Sequence, residues 1–413
     1  MTTITAPGGT TIKPSRSGIS PWRAFPAKPE DWFDPDEIAK AKRYLKPIRA
    51  VSVAQKTLVF LVDLWIVGFH LMPKLFEALN ITNWVFQVVA VIIATDLIGT
   101  ALNFGFSWWR TMVYDKKWEF STTTAGTFFS DLLKGTVLGW VIGSLLLIPL
   151  WAVVRATDLW WFYGWILISV LSVGIGLLAP KIIFPLFNKY TPLADEELHQ
   201  DLLRVAKHVG ADVRKVEVED ASKRDNRDNA YVAGAGKVRR LVLFDTILDR
   251  PREQIRWVCA HELGHWKLRH IVRMVPVAVA MLLVNFVFLK LVLESDWALR
   301  FAGVDGTGPF YGGGLGNPGA IPLFMLVFGL PGLLTNLVTS YVSRAAEREA
   351  DLFGLEAVPE PEAASASLRN LHTDNLADLA PSLWKRLNHS HPPVAERLAL
   401  IREWERRSNA SAS

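Results

Sequence analysis

Six apolar runs, at about 57–72, 84–106, 135–154, 159–179, 271–293 and 320–342, alternate with densely charged stretches along the chain. A bilayer core about 30 Å thick needs roughly 20 residues of helix, and five of the runs reach that length. The first is shorter unless it begins near Val51, and it carries Asp63. Trp84, Trp108, Trp109, Trp160 and Trp161 stand at the ends of runs, where indole favours the headgroup region. The pattern predicts a polytopic α-helical membrane protein of about six spans.

The stretches between the runs set the remaining organisation. Residues 1–34 are polar and rich in Pro and Gly, with no apolar signal-like core, and read as a disordered leader. A short charged surface helix is expected at 35–49, opening a membrane domain of four spans over 35–187. A soluble insert follows at about 188–270, with a helix over 194–210 and strand candidates at 216–219, 229–233 and 240–244. The last two strands are expected to pair as a hairpin across Gly234–Gly236. Together with the spans 271–293 and 320–342, residues 188–405 make a second, α+β unit, and 406–413 read as a disordered tail. The loop 303–319 reads as a flexible connection.

Charge orients this arrangement. Lys40, Lys42, Arg43, Lys46, Arg49 and Lys56 precede the first run, and Arg110, Lys116, Lys117 and Lys134 follow the second. The other connections carry little beyond Lys74, Arg155 and Arg300. The asymmetry predicts both termini and the soluble insert on the cytoplasmic side of the lipid bilayer. The net charge of +5 is thus a topology signal, and no nucleic-acid motif accompanies it. One Cys in 413 residues excludes a disulfide framework and a Cys-rich zinc module.

The chemistry concentrates in His261-Glu262-Leu263-Gly264-His265. On a helix, His261 and His265 share one face and suit one zinc ion, and Glu262 beside them is placed as general base toward an attacking water. Gly and His at 268 and 271 would extend the motif, but Leu268 and Ile271 stand there. His270 falls one residue out of register and reads as a basic interfacial residue. The third ligand is expected downstream, in Ser343–Asp351. Glu347 and Asp351 there are four apart on a helix, as ligand and as hydrogen-bonding partner of a ligating His. Glu349 points about 200° away from Glu347 and is expected in solvent. Asp63 and Asp96 inside apolar runs are either functional or polar pairings between helices. Cys259 reads as a small core residue, and Asn317-Pro318-Gly319 as a turn.

With these residues in hand, the chain resembles the zinc-dependent CAAX prenyl proteases of type I, integral-membrane gluzincins, and their heat-shock membrane protease relatives. The resemblance rests on DWFDPDEIAKAKRY, KIIFPLFNKYTPL (181–193), DNAYVAGAG (228–236), RRLVLFDTIL (239–248), HELGHW (261–266), SRAAEREAD (343–351) and SHPPVAERL (390–398), in that order. It implies one Zn2+ on His261, His265 and Glu347, with Glu262 as base and Asp351 behind a ligand. It also implies His391 and Arg397 near the oxyanion, and Asn229, Ala230 and Tyr231 as an edge strand pairing with substrate. The helices would enclose a large chamber. Eukaryotic members carry a further helix where this chain has its polar leader.

The expected activity is hydrolysis of peptide bonds in a peptide or protein substrate, prenylated or not, by a membrane-embedded zinc metalloendopeptidase working at the cytoplasmic face. Two rivals remain at this level. One is a quality-control protease for misfolded membrane proteins, and the other is a transporter whose intramembrane acids form a relay. The transporter leaves His261, His265 and Glu347 without a task.

Overall fold

The computed structural model describes residues 18–234 and 239–412. Four long helices come first: α1 (Pro35–Gly68), α2 (Trp84–Trp108), α3 (Ala125–Ala156) and α4 (Trp160–Ile182). The insert supplies α5 (Glu196–His208) and α6 (Arg252–Lys267), and α7 (His270–Leu293) returns to the apolar layer. A bent pair, α8 (Ile321–Gly329) and α9 (Gly332–Ala357), follows, and α10 (Pro361–Asp374), α11 (Leu383–Asn388) and α12 (Val394–Ala412) close the chain. Among the described residues five helices are long and apolar enough to cross a bilayer, and a sixth crossing exists if the pair bent by 47° counts as one. Their outer faces carry large apolar side chains such as Phe86, Leu133, Val170 and Leu291, which suits lipid as solvent. Inside, Trp151, Phe286, Leu289 and Phe324 form a packed core between the helices.

Several boundaries differ from expectation. The surface helix and the first apolar run are one helix of 34 residues, because a capping box at Asp34 and Glu37 starts it and Pro47 does not stop it. The leader is anchored at points within 18–34: Ile19 and Phe33 are buried beside Trp257 and Leu398, and Arg348 donates to the Pro21 carbonyl (2.9 Å), while most other residues there are exposed. Residues 1–17 lie outside the described residues. The final helix runs to Ala412, so most of the expected tail is helical; nothing in Arg402–Ala412 is Gly or Pro. The connection 303–319 is folded as short helical turns, with Asn317 buried and its amide donating to the Phe310 and Gly312 carbonyls. Trp160 is a core residue whose indole N–H approaches Glu294 (3.3 Å). Asp96 accepts from the Trp140 indole (2.9 Å), a polar pairing between α2 and α3.

The insert is a four-stranded sheet in the order β1-β2-β4-β3, built from β1 (Tyr190–Pro192), β2 (Val213–Glu219), β3 (Ala230–Ala233) and β4 (Arg239–Phe244). β4 pairs parallel with β2 and antiparallel with β3, as the hairpin expectation required; residues 235–238 of its turn lie outside the described residues. β3 therefore has one free edge. The segment leading into it is tied to the membrane helices. Arg224 forks onto Asp131 of α3 (2.6 and 2.9 Å), and the Tyr44 hydroxyl of α1 accepts from Arg110 (2.8 Å) and Arg227 (2.6 Å) while donating to Asp115 (2.8 Å).

Candidate metalloprotease site

Two glycines allow the site to form. A Cβ on Gly264 of α6 would stand 3.0 Å from Phe353 and 3.3 Å from the Ala350 backbone. One on Gly354 of α9 would stand 3.4 Å from the His261 nitrogen. The absence of both side chains lets α6 and α9 pack against each other closely, so that residues of α9 reach the His261–His265 face.

On that face three side chains converge. His261 Nε2 and His265 Nε2 are 3.2 Å apart, and Glu347 lies 3.5 Å from the first through Oε2 and 3.4 Å from the second through Oε1. Each residue offers one ligand atom, and these atoms all lie within 4.8 Å of one another. Ligand atoms at the corners of a tetrahedron, around an ion bound at about 2.0–2.1 Å, stand about 3.3–3.4 Å apart, and the observed spacings match. Among the described residues Glu347 Oε2 is buried without a hydrogen-bond partner, an acceptor that a cation would satisfy. Burial opposes ionisation of His261, but Asp351 and Glu347 outweigh it and lift its pKa to about 10, while burial and the His261 charge push His265 down to about 3; the carboxylates thus favour one positive charge in the pocket. The residues present fit a divalent cation.

Both imidazoles are held from behind. His261 Nδ1 lies 3.0 Å from Asp351 Oδ1, and Arg397 forks onto the same carboxylate (2.8 and 2.5 Å). His265 Nδ1 meets His270 Nδ1 at 2.9 Å, and His270 Nε2 in turn meets Glu349 Oε2 at 3.0 Å. With His265 Nε2 facing the metal, its Nδ1–H donates to His270, whose Nε2–H donates to Glu349. This corrects the expectation for both residues. His270 is buried, and Glu349 is largely enclosed between His270 and Arg273. His270 does not follow the register of one continuous helix, because α6 ends at Lys267 and Arg269 adopts the left-handed conformation (φ 55°), which turns His270 back toward His265. No Gly or Pro marks that break, so the sequence carried no signal for it.

Glu262 lines the same pocket, a cavity of about 420 Å³, together with Asn229, Ala230, His391 and Arg397. Burial raises the Glu262 carboxyl to about 7, the Glu347 charge acting with it and His261 against it. His391 is half exposed, with Nε2 3.3 Å from Glu347 Oε1, whereas Arg397 is buried and engaged with Asp351. Cys259 is fully buried and faces away from this set. Asp63 is absent from this pocket and lines a separate opening with Gln55 and Asn103.

A helical membrane protein with an H-E-x-x-H helix, a glutamate from a second helix and a substrate-sized pocket between them is a membrane metalloprotease. Residues 192–405 match the model of peptidase family M48, and residues 20–189 match the CAAX prenyl protease N-terminal model of five membrane helices. The chain belongs to peptidase family M48. It is 29% identical to the CAAX prenyl protease 1 homolog of Arabidopsis thaliana over 82% of this chain and 78% of that one. It is 27% identical to CAAX prenyl protease 1 of Saccharomyces cerevisiae over 90% and 87%. The crystal structure of S. mikatae Ste24p superposes with a TM-score of 0.79 at 25% identity, covering 92% of each chain. The transporter alternative falls away with these findings.

Proposed function

We propose that the chain is a zinc endopeptidase, with one Zn2+ held by His261, His265 and Glu347, that removes the C-terminal tripeptide of CAAX-type prenylated proteins at the cytoplasmic face. The observation that carries the reading is the convergence of those three ligand atoms in one pocket with Glu262. Relatives named CAAX prenyl protease support the substrate class. The Lys/Arg asymmetry supports the side.

Zinc in this site supplies a Lewis acid that polarises the scissile carbonyl and favours attack by water. Glu262 takes a proton from the attacking water and delivers it to the departing amine, a role that a carboxyl near neutrality suits. His391, whose Nε2 stands 3.3 Å from Glu347 Oε1 at the edge of the ligand set, would turn that nitrogen to the oxyanion. Arg397 acts through Asp351, because its fork is engaged there. Substrate backbone adds to β3. Phe244 N–H donates to Asn229 C=O (3.0 Å), so in the antiparallel alternation Ala230 turns its N–H and C=O away from β4; the N–H donates to Asn229 Oδ1 (2.9 Å), a contact that substrate would replace.

The test compares three substrates, each with and without chelator: a farnesylated CAAX peptide, the same peptide unmodified, and an unfolded membrane protein. Chelator-sensitive cleavage that prefers the farnesylated peptide supports the proposal. Preference for the unfolded protein transfers the chain to quality control.

A further inference from the structure

The catalytic pocket carries a cation that nothing in the site uses. Arg386 of α11 lines the pocket, is partly enclosed, and makes no side-chain hydrogen bond or ion pair among the described residues. Its neighbour Lys385 is different: its ammonium donates to Asp378 (2.8 Å), a carboxylate that also pairs with Arg49. Of the three acids lining the pocket, Asp378 is committed to two cations, Glu347 faces the metal-ligand histidines and Glu262 is the base, so Arg386 has no carboxylate partner of its own.

Its position is fixed relative to the metal site. The end of α11 is bound along one stripe of α9. The Asn336 amide donates to the Asn388 carbonyl (3.1 Å), Ser340 Oγ to the same carbonyl (3.2 Å), and Arg344 to the Leu387 and His389 carbonyls (2.9 Å each). Residues 336, 340, 344 and 347 follow one helix face, so the stripe that anchors α11 leads on to Glu347. The lining of the same pocket also includes the apolar side chains Leu371, Pro381 and Pro392.

We propose that Arg386 binds the free α-carboxylate at the end of the substrate chain, making the pocket a subsite for a short apolar C-terminal segment. This rests on the protease reading above and sharpens it. A guanidinium matches a carboxylate in shape as well as charge, forming two parallel hydrogen bonds. A partly enclosed, unpaired Arg in a pocket with these apolar side chains selects a peptide that ends there over one that continues. The subsite would make the enzyme count residues from the C-terminus.

The experiment uses the full-length protein with its zinc and two prenylated peptides that differ only at the C-terminus, one a free acid and one an amide. The readout is the ratio of their kcat/KM values, which is internal to each variant and independent of how much folded protein is present. Wild type is expected to prefer the acid by about 10- to 100-fold, the range for hydrogen bonds to charged groups. Arg386→Ala should bring the ratio near one. Arg386→Lys, which keeps the charge without the fork, should lie between, and it decides the matter if the alanine variant does not fold. An unchanged ratio in Arg386→Ala overturns the subsite, as does equal, chelator-sensitive cleavage of both peptides by wild type. A third, amidated peptide ending in Glu tests the source of the carboxylate: if it is cleaved as well as the free acid, the α-carboxylate assignment is wrong. Absent or chelator-insensitive cleavage overturns instead the zinc protease reading on which the subsite rests.

Discussion

At the residue scale, the imidazoles of His261 and His265 that face Glu347 are each held from behind. His261 has Asp351 behind it, and His265 has His270 and then Glu349. Loss of such partners typically costs 10- to 100-fold in metal affinity. His270→Ala is therefore expected to weaken zinc binding by about that factor in a chelator competition, with Glu349→Ala weakening it less; wild-type affinity in His270→Ala contradicts the arrangement. Glu347→Ala should lose zinc and activity together, since two neutral imidazoles alone offer the ion no charge. Half of this geometry was legible. The four-residue spacings of His261/His265 and Glu347/Asp351 survive because each pair sits within an unbroken helix. The His265–His270 contact was not legible. It depends on a left-handed residue at Arg269, a conformation that costs a non-glycine residue roughly 1–3 kcal/mol and is set by its surroundings rather than by its sequence.

At the scale of elements, the site is a junction of α6, α9 and the free edge of β3. The α6–α9 contact leaves no room at Gly264, and Gly264→Ala is expected to push Phe353 and Ala350 away and lower zinc occupancy, although it touches no ligand. Zinc content equal to wild type in a folded Gly264→Ala protein counts against close helix packing as the means of assembling the ligands. For β3, Ala230→Pro removes the N–H that donates to Asn229 Oδ1 and that substrate would take over, while leaving the ladder partner at Leu243 in place, so KM for a peptide substrate should rise with little change in zinc content. Unchanged kinetics in that folded variant place the substrate elsewhere. The strands themselves were readable from short β-branched runs. β1 was not, since Tyr190–Pro192 is three residues long and owes its pairing to β2.

At the scale of the whole molecule, apolar runs fixed the number of long helices better than their ends. Runs end where side chains become polar, whereas helices end where hydrogen bonding and caps stop them. α1 thus begins at Pro35 and carries its charged residues into the same helix that enters the apolar layer. The tie from Tyr44 and Asp131 to Arg227 and Arg224 then joins that layer to the edge strand. The Lys/Arg asymmetry predicts the sidedness, and single-cysteine labelling in a Cys259→Ser background tests it. Thr307→Cys should react with an impermeant reagent applied outside, and Arg23→Cys and Lys207→Cys should not. All three positions are exposed, so burial does not mask the result. Outside labelling at 207 inverts the topology.

The most direct measurement is the turnover of zinc-loaded Glu262→Gln. The substitution leaves His261, His265, Glu347 and their partners in place and removes only the carboxylate that accepts the proton. The variant is expected to bind zinc as wild type does and to lose most of its turnover, by about 10²- to 10⁴-fold, the usual contribution of a positioned acid–base group. Wild-type turnover by a zinc-loaded Glu262→Gln protein would contradict the catalytic role given to this pocket.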